Sequence, residues 1–180
     1  MSRIRLAAAA AGVVVAGLIA VFAISPGAND VAARTPLIGE PAPALSGAAP
    51  LGGGPPVKLA ALRGKFVLLD FFASWCPPCQ AEQPQLDAFA SQHEATGDAE
   101  VVGIVYDDNT SSALRFVRRD RVPYPTVADP GGQIALHYGV RDQPTSFLIS
   151  PDGTILTKID SQVTARSLDQ LVALAKAKGY

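Results

Sequence analysis

Two cysteines, Cys76 and Cys79, are all the chain has, and only Pro77 and Pro78 stand between them. Such a pair can serve as a structural staple, as half of a metal site, or as a dithiol that exchanges disulfides. A staple is poorly motivated here, because closing a loop of about four residues removes only about 2 kcal/mol of unfolded-state entropy, against about 3 kcal/mol for a fifteen-residue loop. A structural zinc site needs two more ligands, and the chain offers no further cysteine and only His93 and His137. Redox chemistry asks instead for a sulfur that ionises at working pH and a second sulfur within disulfide reach. If Cys76 caps a helix that begins near Pro78, its sulfur meets unpaired backbone N–H groups and the positive end of the helix dipole. Lowering its pKa from about 8.5 to about 7 raises the thiolate fraction at neutral pH from about 3% to about 50%. Cys79 then lies about one turn on, close enough to bond to Cys76 and to resolve a mixed disulfide. Pro78 fits the first helical position, where no N–H is needed.

The elements that must position this pair are legible on both sides of it. Lys65–Phe72 is a continuous apolar run, as expected for a central strand buried on both faces. Leu86, Phe89 and Ala90 recur at helical spacing after Cys79, with Pro84 expected to kink the helix rather than stop it. A second buried strand is expected over 99–107, and a helix capped by Thr110 or Ser111 ends near Arg119. A short strand around Thr126–Ala128 and a short helix follow. Next comes a hairpin turning on Pro151-Asp152-Gly153, and a last helix over Thr164–Lys178 buries Leu168, Leu171, Val172 and Ala175. A βαβ half followed by a ββα half predicts an α/β fold, a central mixed β-sheet flanked by helices on both faces. Upstream, the residues around 38–45 and 57–62 are expected to pair as short strands or edges on either side of a Gly/Pro-rich loop over Ser46–Pro56.

Its 15 basic and 16 acidic residues are scattered, which argues against a nucleic-acid partner. Arg3 and Arg5 precede an uncharged apolar run, Leu6–Ile24, that as a helix reaches about 28 Å, just enough to span a bilayer core. We read 1–25 as an uncleaved membrane anchor, with a cleaved signal segment as the second reading, since small residues at Val21/Ala23 and Val31/Ala33 suit signal peptidase. Residues 26–36 read as a linker and 37–180 as the domain. Basic residues ahead of the run place the domain outside the cytoplasm. Without Arg3 and Arg5 the net charge moves only from −1 to −3, and specifies no partner.

With "WCPPCQAEQP" and "YGVRDQPTSFLISPDGTI" in this order, the chain resembles the TlpA/ResA-like membrane-anchored thiol-disulfide oxidoreductases of the thioredoxin superfamily, from about Ile38 to the C-terminus. The resemblance implies a thioredoxin-like fold, Cys76 as attacking thiol, Cys79 as resolving thiol and Pro144 as a cis-proline beside them. The backbone of Gln143 would then be free to pair with an extended substrate. Glu82 matches an acidic residue that in similar proteins influences proton transfer; read alone, it is an ordinary first-turn glutamate favoured by the dipole. Asp70 departs from the branch, which often carries asparagine there. Inside a buried strand it is a candidate base for Cys79 with a raised pKa, or a strand-end aspartate that reaches solvent. Trp75 either shields the thiol at the substrate face or is core. Tyr124 reads as loop packing, and His93 and His137 have no evident partner.

The function expected is extracytoplasmic disulfide exchange without a dissociable cofactor, acting as a monomer. Exported proteins would be its substrates, apocytochrome c or metal-site assembly proteins among them, and an extracytoplasmic or membrane electron donor would restore the dithiol. A disulfide-forming oxidase, a thiol peroxidase and a metal-binding chaperone are the alternatives.

Overall fold

The computed structural model describes residues 35–45 and 49–180. The expected anchor and nearly all of the linker lie outside the described residues, and among the described residues no helix is long and apolar enough to cross a membrane. Four helices and five strands alternate from Phe66 onward: β1 (Phe66–Phe72), α1 (Pro77–Glu94), β2 (Ala99–Tyr106), α2 (Thr110–Asp120), β3 (Thr126–Asp129), α3 (Gln133–Tyr138), β4 (Thr145–Ile149), β5 (Ile155–Ile159) and α4 (Ala165–Ala177).

The strands form one sheet in the order β3-β2-β1-β4-β5. β1 runs parallel to β2 and β2 parallel to β3, each pair needing a helical crossover, while β4 and β5 join antiparallel through the expected hairpin. β1 is central and buried along its whole length, which is why it reads as an unbroken apolar run. The period of two then divides its side chains. Leu69 and Phe71 pack with Tyr138 and Phe147 on the α3 face. Leu68 packs with Leu86, Phe89, Leu168 and Val172 between α1 and α4. Asp70, two residues on from Leu68, therefore points toward α1.

The upstream stretches divide. Around Pro41 the chain adds to the edge of β5, with Gly39 N–H donating to Ile155 O at 2.8 Å and Ile155 N–H to Glu40 O at 2.9 Å. The second stretch is not a strand: Leu59–Leu62 forms a single 3-10 turn. Its two leucines, three apart, land on one side and pack against the core, which a strand would not permit. Pro50 and Leu51 bridge to β3, so this part of the Gly/Pro-rich loop pairs with that edge.

Helix starts also shift. Asn109, and neither Thr110 nor Ser111, caps α2: its backbone is extended and its Oδ1 accepts the N–H groups of Ser111 and Ser112 at 2.9 and 3.3 Å. Asparagine caps as well as serine and stands one residue earlier. Asn109→Ala is expected to cost about 1 kcal/mol, read as a lower urea midpoint at unchanged slope. Helix α1 runs on through Pro84 to Glu94.

Candidate active site

β1 ends at Phe72, and the chain turns through Ala73, Ser74 and Trp75 into Cys76, the N-cap of α1. The helix begins at Pro77, so Pro78 occupies the second helical position and not the first. Proline pushes the residue before it to extended backbone, as Cys76 shows at φ −80° and ψ 111°, and thereby ends the loop at the cysteine. Neither proline breaks a helical hydrogen bond, since both fall where N–H groups have no partner. Cys76 and Cys79 form a disulfide with Cα atoms 5.3 Å apart. Both are almost wholly buried. The Cys79 N–H donates to Cys76 Sγ at 3.2 Å, the contact that stabilises a thiolate once the disulfide opens.

Opposite the pair, the Gln143–Pro144 bond is cis and Gln143 O lies 3.8 Å from Cys76 Sγ. Among the described residues the Gln143 backbone takes no part in the sheet, which begins at Thr145. Its side-chain amide donates to Tyr106 O at 3.1 Å. Trp75 is 56% exposed and donates its indole N–H to Asp107 O at 2.8 Å, so the core reading of this residue falls. Its indole has a built partner outside the core. Beside it opens a groove of about 1090 Å³, bordered by Asp107, Asp129, Gln133 and Leu136.

Two carboxyls lie on the buried side of the pair. Asp70 is 1% exposed, and Ser146 donates its hydroxyl to Oδ1 at 2.7 Å. The solvent-reaching reading is thus wrong, because β1 is flanked on both edges and both faces. Burial pushes Asp70 up to about 6, against the opposing pull of Ser146. Glu82, one turn beyond Cys79 on the same buried face, is 2% exposed. It is not a first-turn surface glutamate: Oε2 accepts the Val163 N–H at 2.9 Å, and Oε1 is buried with no partner among the described residues. Burial, then the charge of Asp70, push Glu82 up to about 8. A carboxyl with an unpaired buried oxygen is better held neutral than ionised.

Tyr124 does more than pack a loop. It is buried, its hydroxyl accepts from Gln83 Nε2 at 2.8 Å, and burial holds its phenol well above the usual range. The same Gln83 amide reaches Asp87 at 2.7 Å. His93 was expected to lack partners but has two: Nδ1 lies 2.7 Å from Asp98 and Nε2 3.1 Å from Asp169, tying α1 to α4. Asp169 was hidden by its distance of 76 residues, whereas Asp98, five residues on, was in view and missed. His137 is exposed on α3. Sequence reasoning also missed Tyr106, Asp107 and Asp108, whose only visible signal was their place at the C-terminal end of a parallel strand, where α/β sheets build their sites.

Residues 38–158 match the AhpC/TSA family. The thiol:disulfide interchange protein HelX of Rhodobacter capsulatus is 35% identical over 169 residues, 91% of this chain and 90% of that one. The thiol-disulfide oxidoreductase ResA of Bacillus thuringiensis is 32% identical over 117 residues, 65% of this chain and 67% of that one. A secreted disulfide oxidoreductase of Mycobacterium tuberculosis, described as homologous to E. coli DsbE, superposes with a TM-score of 0.62 at 29% identity, covering 71% of this chain and 93% of that one. The five-stranded sheet with its helices is a thioredoxin-like fold, and it is this fold that the superposition shares. By the span of that match and by the relatives that align with it, the chain belongs to the AhpC/TSA family and is a thiol-disulfide oxidoreductase.

Proposed function

We propose that the protein works outside the cytoplasm as a reductant of disulfides in exported proteins. The carrying observation is the acidic floor of the site: Asp70 and Glu82 are buried beneath Cys76 and Cys79, and each resists ionisation. Raised only to about 6, Asp70 still carries most of its charge at neutral pH, and that charge opposes a thiolate at Cys76. A dithiol whose reduced form gains little from its surroundings gives up electrons readily, whereas a strong oxidant owes its power to a stabilised reduced form.

The steps follow from the geometry. Cys76 thiolate attacks one sulfur of a client disulfide, forming a mixed disulfide and releasing the client's other sulfur as thiolate. Cys79, deprotonated with the ionised Asp70 accepting the proton, attacks Cys76 Sγ and releases the second client thiolate. The client gains two electrons, and the chain is left with the Cys76–Cys79 disulfide. A dithiol donor outside the cytoplasm then returns two electrons. The reacting sulfurs belong to the chain, so the exchange needs no dissociable cofactor. An extended client segment would lie against the Gln143 backbone and beside Trp75. The client class is exported proteins whose cysteines must be reduced before they take a prosthetic group or a metal, apocytochrome c among them.

The location is supported by Arg3 and Arg5 ahead of the apolar run Leu6–Ile24, and by the secreted Mycobacterium relative. Titrating the Cys76–Cys79 couple against glutathione tests the direction. A potential below about −200 mV is expected, and a value near about −120 mV would make the protein an oxidant and overturn the reading.

A further inference from the structure

We infer that Asp108 is a positioning residue for disulfide exchange, the point at which one loop holds the segment carrying Cys76. Three consecutive residues, the last of β2 and the two after it, each hold a different part of the site. Tyr106 O accepts the Gln143 amide at 3.1 Å, Asp107 O accepts the Trp75 indole at 2.8 Å, and Asp108 Oδ2 accepts the Ser74 N–H at 2.6 Å. Both walls of the site, the cysteine loop and the segment before Pro144, are thereby tied to one stretch of backbone.

The chain bends sharply to do so. Asp107 sits in the left-handed region at φ 54°, a conformation that aspartate tolerates better than most residues and that tends to persist where function needs it. Asp108 is fixed at both oxygens, because Oδ1 also accepts the Asn109 N–H at 2.6 Å where α2 begins. Hydrogen bonds to an ionised acceptor are about twice as strong as neutral ones, so this anchor is firmer than the neighbouring carbonyl contacts. Ser74 is otherwise held through its carbonyl, which accepts the Gln80 amide at 2.6 Å.

The anchor matters most when the disulfide is open. In the oxidised chain Cys76 is held covalently to Cys79. In the dithiol that restraint is gone, and the Ser74–Cys76 loop keeps its aim through Asp108, Gln80, the Trp75 indole on Asp107 O and the helix cap, of which Asp108 is the charged anchor. Attack on sulfur requires alignment, and a misplacement of about 1 Å can cost about a hundredfold in rate. The inference applies to either direction of electron flow, so it stands apart from the reductase reading.

The test compares Asp108→Ala, Asp108→Asn and Asn109→Ala in the full chain, with a synthetic two-cysteine disulfide peptide as probe. Asp108→Ala is expected to lower kcat/KM about tenfold, mainly in kcat, while Asp108→Asn, which keeps an acceptor oxygen without the charge, stays within about threefold of wild type. Asn109→Ala removes the α2 cap but not the Ser74 bond, so it lowers the melting temperature and leaves kcat/KM within about twofold. Trp75, the only tryptophan, gives a second reading: in Asp108→Ala its emission shifts more in the dithiol than in the disulfide form. If Asp108→Ala does not fold, hydrogen exchange at the Ser74 amide in the reduced wild-type protein decides, and protection is expected there. Unchanged kcat/KM in folded Asp108→Ala, the same kinetic loss in Asn109→Ala, or a freely exchanging Ser74 amide overturns the inference.

Discussion

Cys79→Ala is expected to end catalytic turnover and leave Cys76 covalently joined to its client. The first half of the exchange survives the substitution. Cys76 Sγ still accepts the N–H of residue 79, because that donor is backbone, and it keeps its place at the N-cap of α1. Attack on a client disulfide therefore proceeds, but no second thiolate lies within reach to release the product. Turnover should fall by about three orders of magnitude or more, as when a member of a nucleophilic unit is removed. A non-reducing gel of cells expressing the variant should show adducts that dithiothreitol dissolves and that Cys76→Ala does not form. Folded Cys79→Ala that accumulates no adduct would remove Cys76 from the attacking role. The fold should tolerate the change, since alanine is smaller and apolar, and unlinking a loop of about four residues costs only about 2 kcal/mol.

Asp70→Asn should make the oxidised protein more stable at pH 8 while slowing exchange. Asp70 is 1% exposed, and burial raises it from 3.8 to about 6. A carboxyl whose folded pKa is raised holds its proton more tightly in the folded chain. Its contribution to stability is therefore complete below about pH 4 and is lost as pH rises to about 6, which amounts to roughly 3 kcal/mol at one pKa step per 1.36 kcal/mol. Asparagine carries no such penalty and keeps an oxygen for the Ser146 hydroxyl. Wild type should lose urea stability across that window, and Asp70→Asn should lose much less. Glu82 adds a further fall toward about pH 8, and part of it disappears with Asp70, whose charge is one cause of its shift. Loss of a proton acceptor near Cys79 is expected to slow the resolving step roughly ten- to a hundredfold at neutral pH. Identical pH–stability curves for the two proteins would show that Asp70 ionises as freely in the fold as out of it.

These two carboxyls also show where sequence reading succeeds. Asp70 could be placed in a buried strand because its neighbours in β1 are all apolar, and a charge inside such a run must be neutral, paired or misassigned. Glu82 was harder. The resemblance singled it out, but an ordinary first-turn glutamate favoured by the helix dipole has the same local sequence. What buries it is Val163, 81 residues away, whose N–H it accepts. Pro144 was identified through a family resemblance and not through any property of the residues around it.

What depends on neighbours along the chain was legible in the residues: the strand-loop-helix that places Cys76 at a cap, the apolar run that puts Asp70 inside a strand, the hairpin at Pro151-Asp152-Gly153, and the alternation that makes an α/β sheet. Those signals are local because propensity, capping and periodicity act over a few residues. Which groups meet across the site depends on how the strands and helices assemble. Asp108 reaches Ser74 over 34 residues and Gln143 reaches Tyr106 over 37. Contacts at such separations leave no periodic trace in the chain. They exist because the sheet order brings the ends of β1, β2 and β3 and the segment before β4 to one edge, and there a pair of cysteines becomes a site.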